Sequence, residues 1–152
     1  MGSNNKELIG MLKEVLQLNV DSYKGYDQAA DTVKSENLIT YFKSKAIDRK
    51  NHVLELETVL KLAFGDLNED WSHRVLNRTW MNMMHLTSPQ SDKAILEESI
   101  RGDRQAIKEY AKILENINLP IGVSTVIRNQ FVNISTDLNK IKGLEDQPVP
   151  NP

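Results

Sequence analysis

The chain has 152 residues, of which 39% are hydrophobic and 26% charged, with a formal net charge of −2. That length suits one domain burying about two-thirds of its unfolded surface, and the charge offers no basic excess for nucleic acid or an anionic membrane. The absence of cysteine excludes disulfide frameworks, iron–sulfur clusters and thiolate zinc sites. No apolar run approaches the ~20 residues that span a bilayer. The polar start Met1-Gly2-Ser3-Asn4-Asn5 is unlike a secretion signal, and Lys6 stands where N-myristoylation requires Ser or Thr. A soluble, cytoplasmic protein is expected.

Taken in order, the residues predict long helices and no strands. The first helix runs from about Asn5 to Val33, with Leu8, Met11, Leu12, Val15, Leu18, Ser22, Tyr26, Ala29 and Val33 at three- and four-residue spacing. Asn4 and Glu7 resemble a capping box at its start. After a break at Lys34-Ser35, the second helix spans about Glu36 to Phe64, ended by Gly65. Its inward stripe is Leu38, Phe42, Lys45, Arg49, His52, Leu56, Val59 and Ala63. Residues 66–90 hold a shorter amphipathic helix, about Glu69 to Leu86. Ser88-Pro89 reads as the N-cap and first turn of the third long helix, about Pro89 to Asn116. Asn118 and Pro120 punctuate the connection to the fourth, about Ile121 to Lys142. The Pro-rich tail 145–152 cannot continue a helix and is expected to be disordered.

Connection lengths then select a topology. Short turns make antiparallel hairpins of the first two and the last two helices, and the 25 residues between the pairs suit a crossover along the bundle. The fold expected is all-α, a ferritin-like four-helix bundle of two antiparallel hairpins with a short crossover helix, forming one domain over residues 1–144.

Ala94-Ile95-Leu96-Glu97-Glu98-Ser99-Ile100-Arg101-Gly102-Asp103-Arg104-Gln105-Ala106, followed by Glu109-Tyr110, resembles the third helix of an uncharacterised family of bacterial ferritin-like proteins. That family is a domain of unknown function distantly related to rubrerythrins. Gly25-Tyr26-Asp27-Gln28-Ala29-Ala30 and Arg78-Thr79-Trp80-Met81 are similar to it too, so that the likeness runs from Asn5 to Leu144. The resemblance implies the fold and a stress setting, but no reaction.

A carboxylate-bridged di-iron bundle needs about six ligands: a Glu from each of two helices, and Glu-x-x-His from each of the other two. On the second helix the corresponding stretch is Arg49-Lys50-Asn51-His52, where a permanent cation replaces the glutamate. The first helix offers Asn19 and Ser22, with Asp21 at the edge; the fourth offers Gln130, Asn133 and Asp137 near its seam and has no histidine. A reduced site for one divalent metal (iron, manganese or zinc) would draw on His52 with Asp48 or Glu55, and on Glu98 or Asp103. Alternatively, Arg49 neutralises an inherited acid, Asp103 or Glu98, in a structural polar layer that takes the metal's place, or it snorkels to solvent.

Three further features bear on function. Trp80, Met81, Met83 and Met84 form either a partner surface or the face that docks the crossover on the bundle. Gly25 and Gly102 sit mid-helix, where each costs roughly 1 kcal/mol relative to Ala; close approach of the first and third helices would offset that. No phosphate loop, nucleophile elbow or HExxH is present. Two functions remain open: a non-catalytic bundle that associates with itself or another protein, needing no cofactor, or a metal-binding oxidoreductase or iron-handling protein.

Overall fold

The structure, a computed structural model, describes residues 2–65, 91–116 and 118–145. Within them lie four helices and no strand: α1 (Gly2–Thr32), α2 (Glu36–Phe64), α3 (Asp92–Leu114) and α4 (Ile121–Glu145). The chain is an all-α four-helix bundle. The crossover helix expected at 69–86, the Trp80, Met81, Met83 and Met84 cluster and the tail beyond Glu145 lie outside the described residues.

Local chemistry sets the helix ends. Ser35 has extended backbone and its hydroxyl accepts from Leu38 N at 3.4 Å, which opens α2. At the other end Gly65 takes φ 83°, a conformation costly for residues with a Cβ, and its N–H closes on Lys61 O at 2.9 Å. The start of α3 is three residues later than the sequence suggests. Ser91 caps it by accepting from Ala94 N at 3.1 Å, while Ser88 and Pro89 fall outside the described residues. The α1 helix begins at Gly2, so Asn4 lies within its first turn and does not mark its start.

Two contacts orient the bundle. Asp92, in the first turn of α3, accepts from Lys34 N at 2.9 Å and Ser35 N at 2.8 Å. The start of α3 is thereby tied to the α1–α2 turn, whereas α2 ends at the opposite end of the bundle. Near that end, a Cβ on Gly122 of α4 would lie 3.6 Å from Val59 of α2. Consequently α1 packs antiparallel to both α2 and α3, and α4 antiparallel to both α3 and α2. The parallel pairs, α1 with α4 and α2 with α3, are diagonal. A direct α2–α3 hairpin is excluded by this arrangement, as two hairpins joined by a long connection require.

Burial follows the helical stripes. Val15, Leu56, Ile113 and Ile127 are buried on one side of the bundle's middle, and Ala29, Phe42 and Ile141 on the other. Gly25 and Gly102 are both buried. Between the apolar zones the same inward stripes carry polar residues: Asn19, Ser22, Lys45, Arg49, His52, Asp103 and Gln130 are all buried.

Candidate functional site: a buried polar core

The polar residues form two layers, and each of the four helices contributes one member to each. The neutral layer is Asn19, His52, Tyr110 and Gln130. Asn19 Nδ2 donates to Tyr110 Oη at 2.8 Å and to Val15 O at 2.8 Å. Tyr110 donates to Gln130 Oε1 at 2.6 Å, and Gln130 Nε2 donates to the His52 carbonyl at 3.2 Å. His52 Nδ1 lies 3.2 Å from Asn19 Oδ1. Because the Asn19 amide nitrogen is already donating, its oxygen accepts, and the network assigns the imidazole proton to Nδ1.

The charged layer is Tyr26, Lys45, Asp103 and Asp137. Tyr26 donates to Asp103 Oδ2 at 2.8 Å. Lys45 Nζ lies 2.7 Å from Asp137 Oδ2 and 3.5 Å from Asp103 Oδ2. Arg49 stands one turn along α2 from Lys45, between the layers, and donates through Nη2 to Asp103 Oδ1 at 3.0 Å. At the matching heights α1 and α3 carry small buried residues, Ser22 and Ala106, which leave room for a guanidinium. The Tyr26 ring lies 5.6 Å from Lys45 Nζ and 5.8 Å from Arg49 Cζ, a distance at which its π face attracts both cations. Within this cluster two cations face two carboxylates; Asp21, expected at the edge of α1, is also buried and accepts from Gln17 Nε2 at 2.8 Å.

Titration behaviour follows from this arrangement. Burial alone would raise the Asp103 pKa, but Arg49 and Lys45 outweigh it and hold the carboxyl below its usual range. Burial pulls the Arg49 pKa down, and the Asp103 charge more than compensates. The Lys45 pKa is lowered, by burial first, with Asp103 opposing and Arg49 adding to the fall. For His52, burial and then the Arg49 and Lys45 cations push the pKa down to about 3, so the imidazole is neutral at pH 7. Tyr26 and Tyr110 are both raised, chiefly by burial.

The residues singled out in the sequence meet different fates. Arg49 and Asp103 are brought together, and Arg49 is fully buried, which removes the snorkelling alternative. Glu98 is placed elsewhere: its Oε1 accepts from Arg101 Nη2 at 2.6 Å on the same helix face. Three residues separate the two and fix this local pair, so of the two acids offered by α3 only Asp103 takes the guanidinium. Asp48 is half-buried and Glu55 is exposed, with Glu55 Oε1 3.4 Å from Gln130 Nε2. Sequence reasoning misses Lys45 as a site residue. It occupies the inward stripe one turn before Arg49, and that position is the signal for a second buried cation.

The described residues of the core do not have the donor set of a ferritin-type metal centre. Among those described, no group of three or more His, Asp or Glu side chains is disposed to hold a metal ion. His52 has one familiar ligand feature, an Nδ1–H fixed by a neighbour. The charges that depress its pKa would also repel a dication.

No curated protein matches the chain. A family model described as Domain of unknown function (DUF2383) matches residues 7–116, which takes in most of α1 and all of α2 and α3 and stops before α4. That span is shorter than the Asn5–Leu144 likeness expected from the sequence, and it contains every member of the polar core except Gln130 and Asp137. The chain belongs to the DUF2383 family.

Proposed function

We propose that this protein is a ferritin-like bundle without a catalytic centre, acting by association, in which an internal ion network occupies the position of the metal. The observation that supports this reading is the ion cluster of buried Lys45, Arg49 and Asp103 with the half-buried Asp137. A guanidinium and an ammonium neutralise the carboxylates that a metal would otherwise neutralise. Apolar side chains turned outward suit association with a second copy or another protein: Ile47, Leu54 and Leu62 on α2, Ile121 and Val132 on α4 are all more than half exposed.

The test is metal content together with mass in solution. Protein purified without chelator is analysed for iron, manganese and zinc, and sedimentation velocity is run at micromolar concentration. Metal-free, fully folded protein that sediments as a dimer or larger fits the proposal. Stoichiometric metal that is lost with His52→Ala would replace it with the metal-binding reading, and a metal-free monomer would remove self-association.

A further inference from the structure

The two polar layers share one spacing on every helix. Asn19 and Tyr26, Lys45 and His52, Asp103 and Tyr110, and Gln130 and Asp137 are each separated by seven residues, about 10 Å along a helix axis. Interhelical bonds join all four helices at each height: in the neutral layer Asn19 bonds to His52 and Tyr110, Tyr110 to Gln130, and Gln130 to the His52 carbonyl. The charged layer joins α1 to α3 through Tyr26, α2 to α3 through Arg49, and α2 to α4 through Lys45.

An apolar bundle with a seven-residue repeat is nearly degenerate. Sliding one hairpin by two turns returns apolar side chains to apolar neighbours at little cost. Here the layers differ chemically, one neutral and one ionic. A two-turn slide of the α3–α4 hairpin in one direction would set Asp103 against Asn19 and His52 and carry Tyr110 into the apolar zone beyond them; in the other direction it would bring Tyr110 beside Lys45 and carry Asp103 among apolar residues. Buried charges would then lack partners, at a cost well above that of any displaced methyl group. Smaller slides pull Asp103 and Asp137 off the height of Lys45 and so weaken the same ion pairs.

We propose that the paired layers are an alignment key that fixes the height at which the α3–α4 hairpin docks on the α1–α2 hairpin. The key selects one arrangement over its slipped alternatives, and the apolar zones to either side supply the stability. It holds whether or not the protein binds metal or associates.

The experiment makes the charged layer apolar in the full-length chain, with Tyr26→Phe, Lys45→Met, Arg49→Met, Asp103→Leu and Asp137→Leu together. Because the chain has no cysteine, spin labels can be attached through Asn51→Cys on α2 and Lys108→Cys on α3, both exposed in the structure. Pulsed electron resonance then reads the distance between hairpins. The natural core should give one narrow distance. The apolar core should melt at an equal or higher temperature, yet give a broad or multiple distribution and split or broadened amide signals. A single narrow distance matching the natural one would overturn the proposal. So would an apolar variant that fails to fold while the milder Arg49→Met/Asp103→Leu pair folds with reduced stability, since the layer would then supply stability, not alignment.

Discussion

Arg49 Nη2 and Asp103 Oδ1 lie 3.0 Å apart, with both side chains almost wholly shielded from water. The pair is monodentate, and Arg49 Nε and Nη1 have no hydrogen-bond partner among the described residues. Removing one member of such a pair leaves the other charge buried. Arg49→Ala should therefore destabilise the bundle by about 3–5 kcal/mol, read from urea denaturation. Arg49→Met with Asp103→Leu removes both charges and should cost far less, so the double-mutant cycle should show strong coupling. An additive cycle would mean that the two side chains act independently.

Buried polar donors are seldom left without partners. The Nε and Nη1 hydrogens of Arg49 should each meet an internal water, in the space that the short side chains of Ser22 and Ala106 leave at this height. A high-resolution crystal structure should show ordered water within hydrogen-bond distance of one or both nitrogens. A dry guanidinium in clear density would contradict this.

The fold is legible in the sequence because its signals are periodic. The Gly65 stop, the short turn at 33–35 and most of the helical stripes survive in the structure, and α2 has the limits read from sequence; its stripe departs from expectation only after Leu56, where Leu60 is buried and Ala63 exposed. The cap of α3 is harder to read because Ser88-Pro89 and Ser91-Asp92 offer similar start chemistry, and the choice depends on Asp92 binding the α1–α2 turn, a contact across 58 residues. In the core, Arg49 announces itself by standing where a ligand is expected. Lys45 does not, since one lysine on a stripe usually reads as a snorkelling edge residue. Its burial depends on Asp137, 92 residues away. Partners at such separations leave no mark in local spacing.

Acid should unfold the protein in two stages. The folded His52 pKa is near 3, below its ordinary value of 6.5, so between those limits the unfolded chain binds more protons and stability falls as pH falls. The slope approaches about 1.4 kcal/mol per pH unit. Asp103 is also depressed; its contribution is present above the ordinary carboxylate range and is lost as pH drops through the folded value. Melting temperatures recorded from pH 7 to pH 3 should show both limbs. His52→Leu should flatten the limb between pH 6.5 and 4, and a slope unchanged by that substitution would place the titration elsewhere.

Alkali should destabilise it for the opposite reason. Tyr26 and Tyr110 have folded pKa values raised by burial, so above about pH 10 the unfolded chain loses protons that the folded chain keeps. Their contribution is full below pH 10 and is lost as pH rises past it. Absorbance of tyrosinate should rise together with loss of helical circular dichroism. Tyr110→Phe should lessen the alkaline loss while costing the Asn19 and Gln130 hydrogen bonds, about 1–3 kcal/mol at neutral pH. Tyrosinate absorbance that completes while the helices remain intact would show these hydroxyls to be less protected.

The sharpest separation of ion network from metal site comes from Arg49→Glu. The substitution restores Glu-x-x-His on α2, placing a carboxylate three residues before His52 and opposite Asp103. Without metal, the introduced carboxylate would meet Asp103 in a core left with Lys45 as its nearby cation, and like charges at that depth disfavour each other. The variant should be less stable than Arg49→Ala. Added zinc or manganese should raise its melting temperature, because a dication held by the new carboxylate and His52 offsets the repulsion. The natural protein should show no comparable shift, since Arg49 and Lys45 already supply the positive charge. Equal metal stabilisation of the natural chain and the variant would show that the cations do not stand in for a metal.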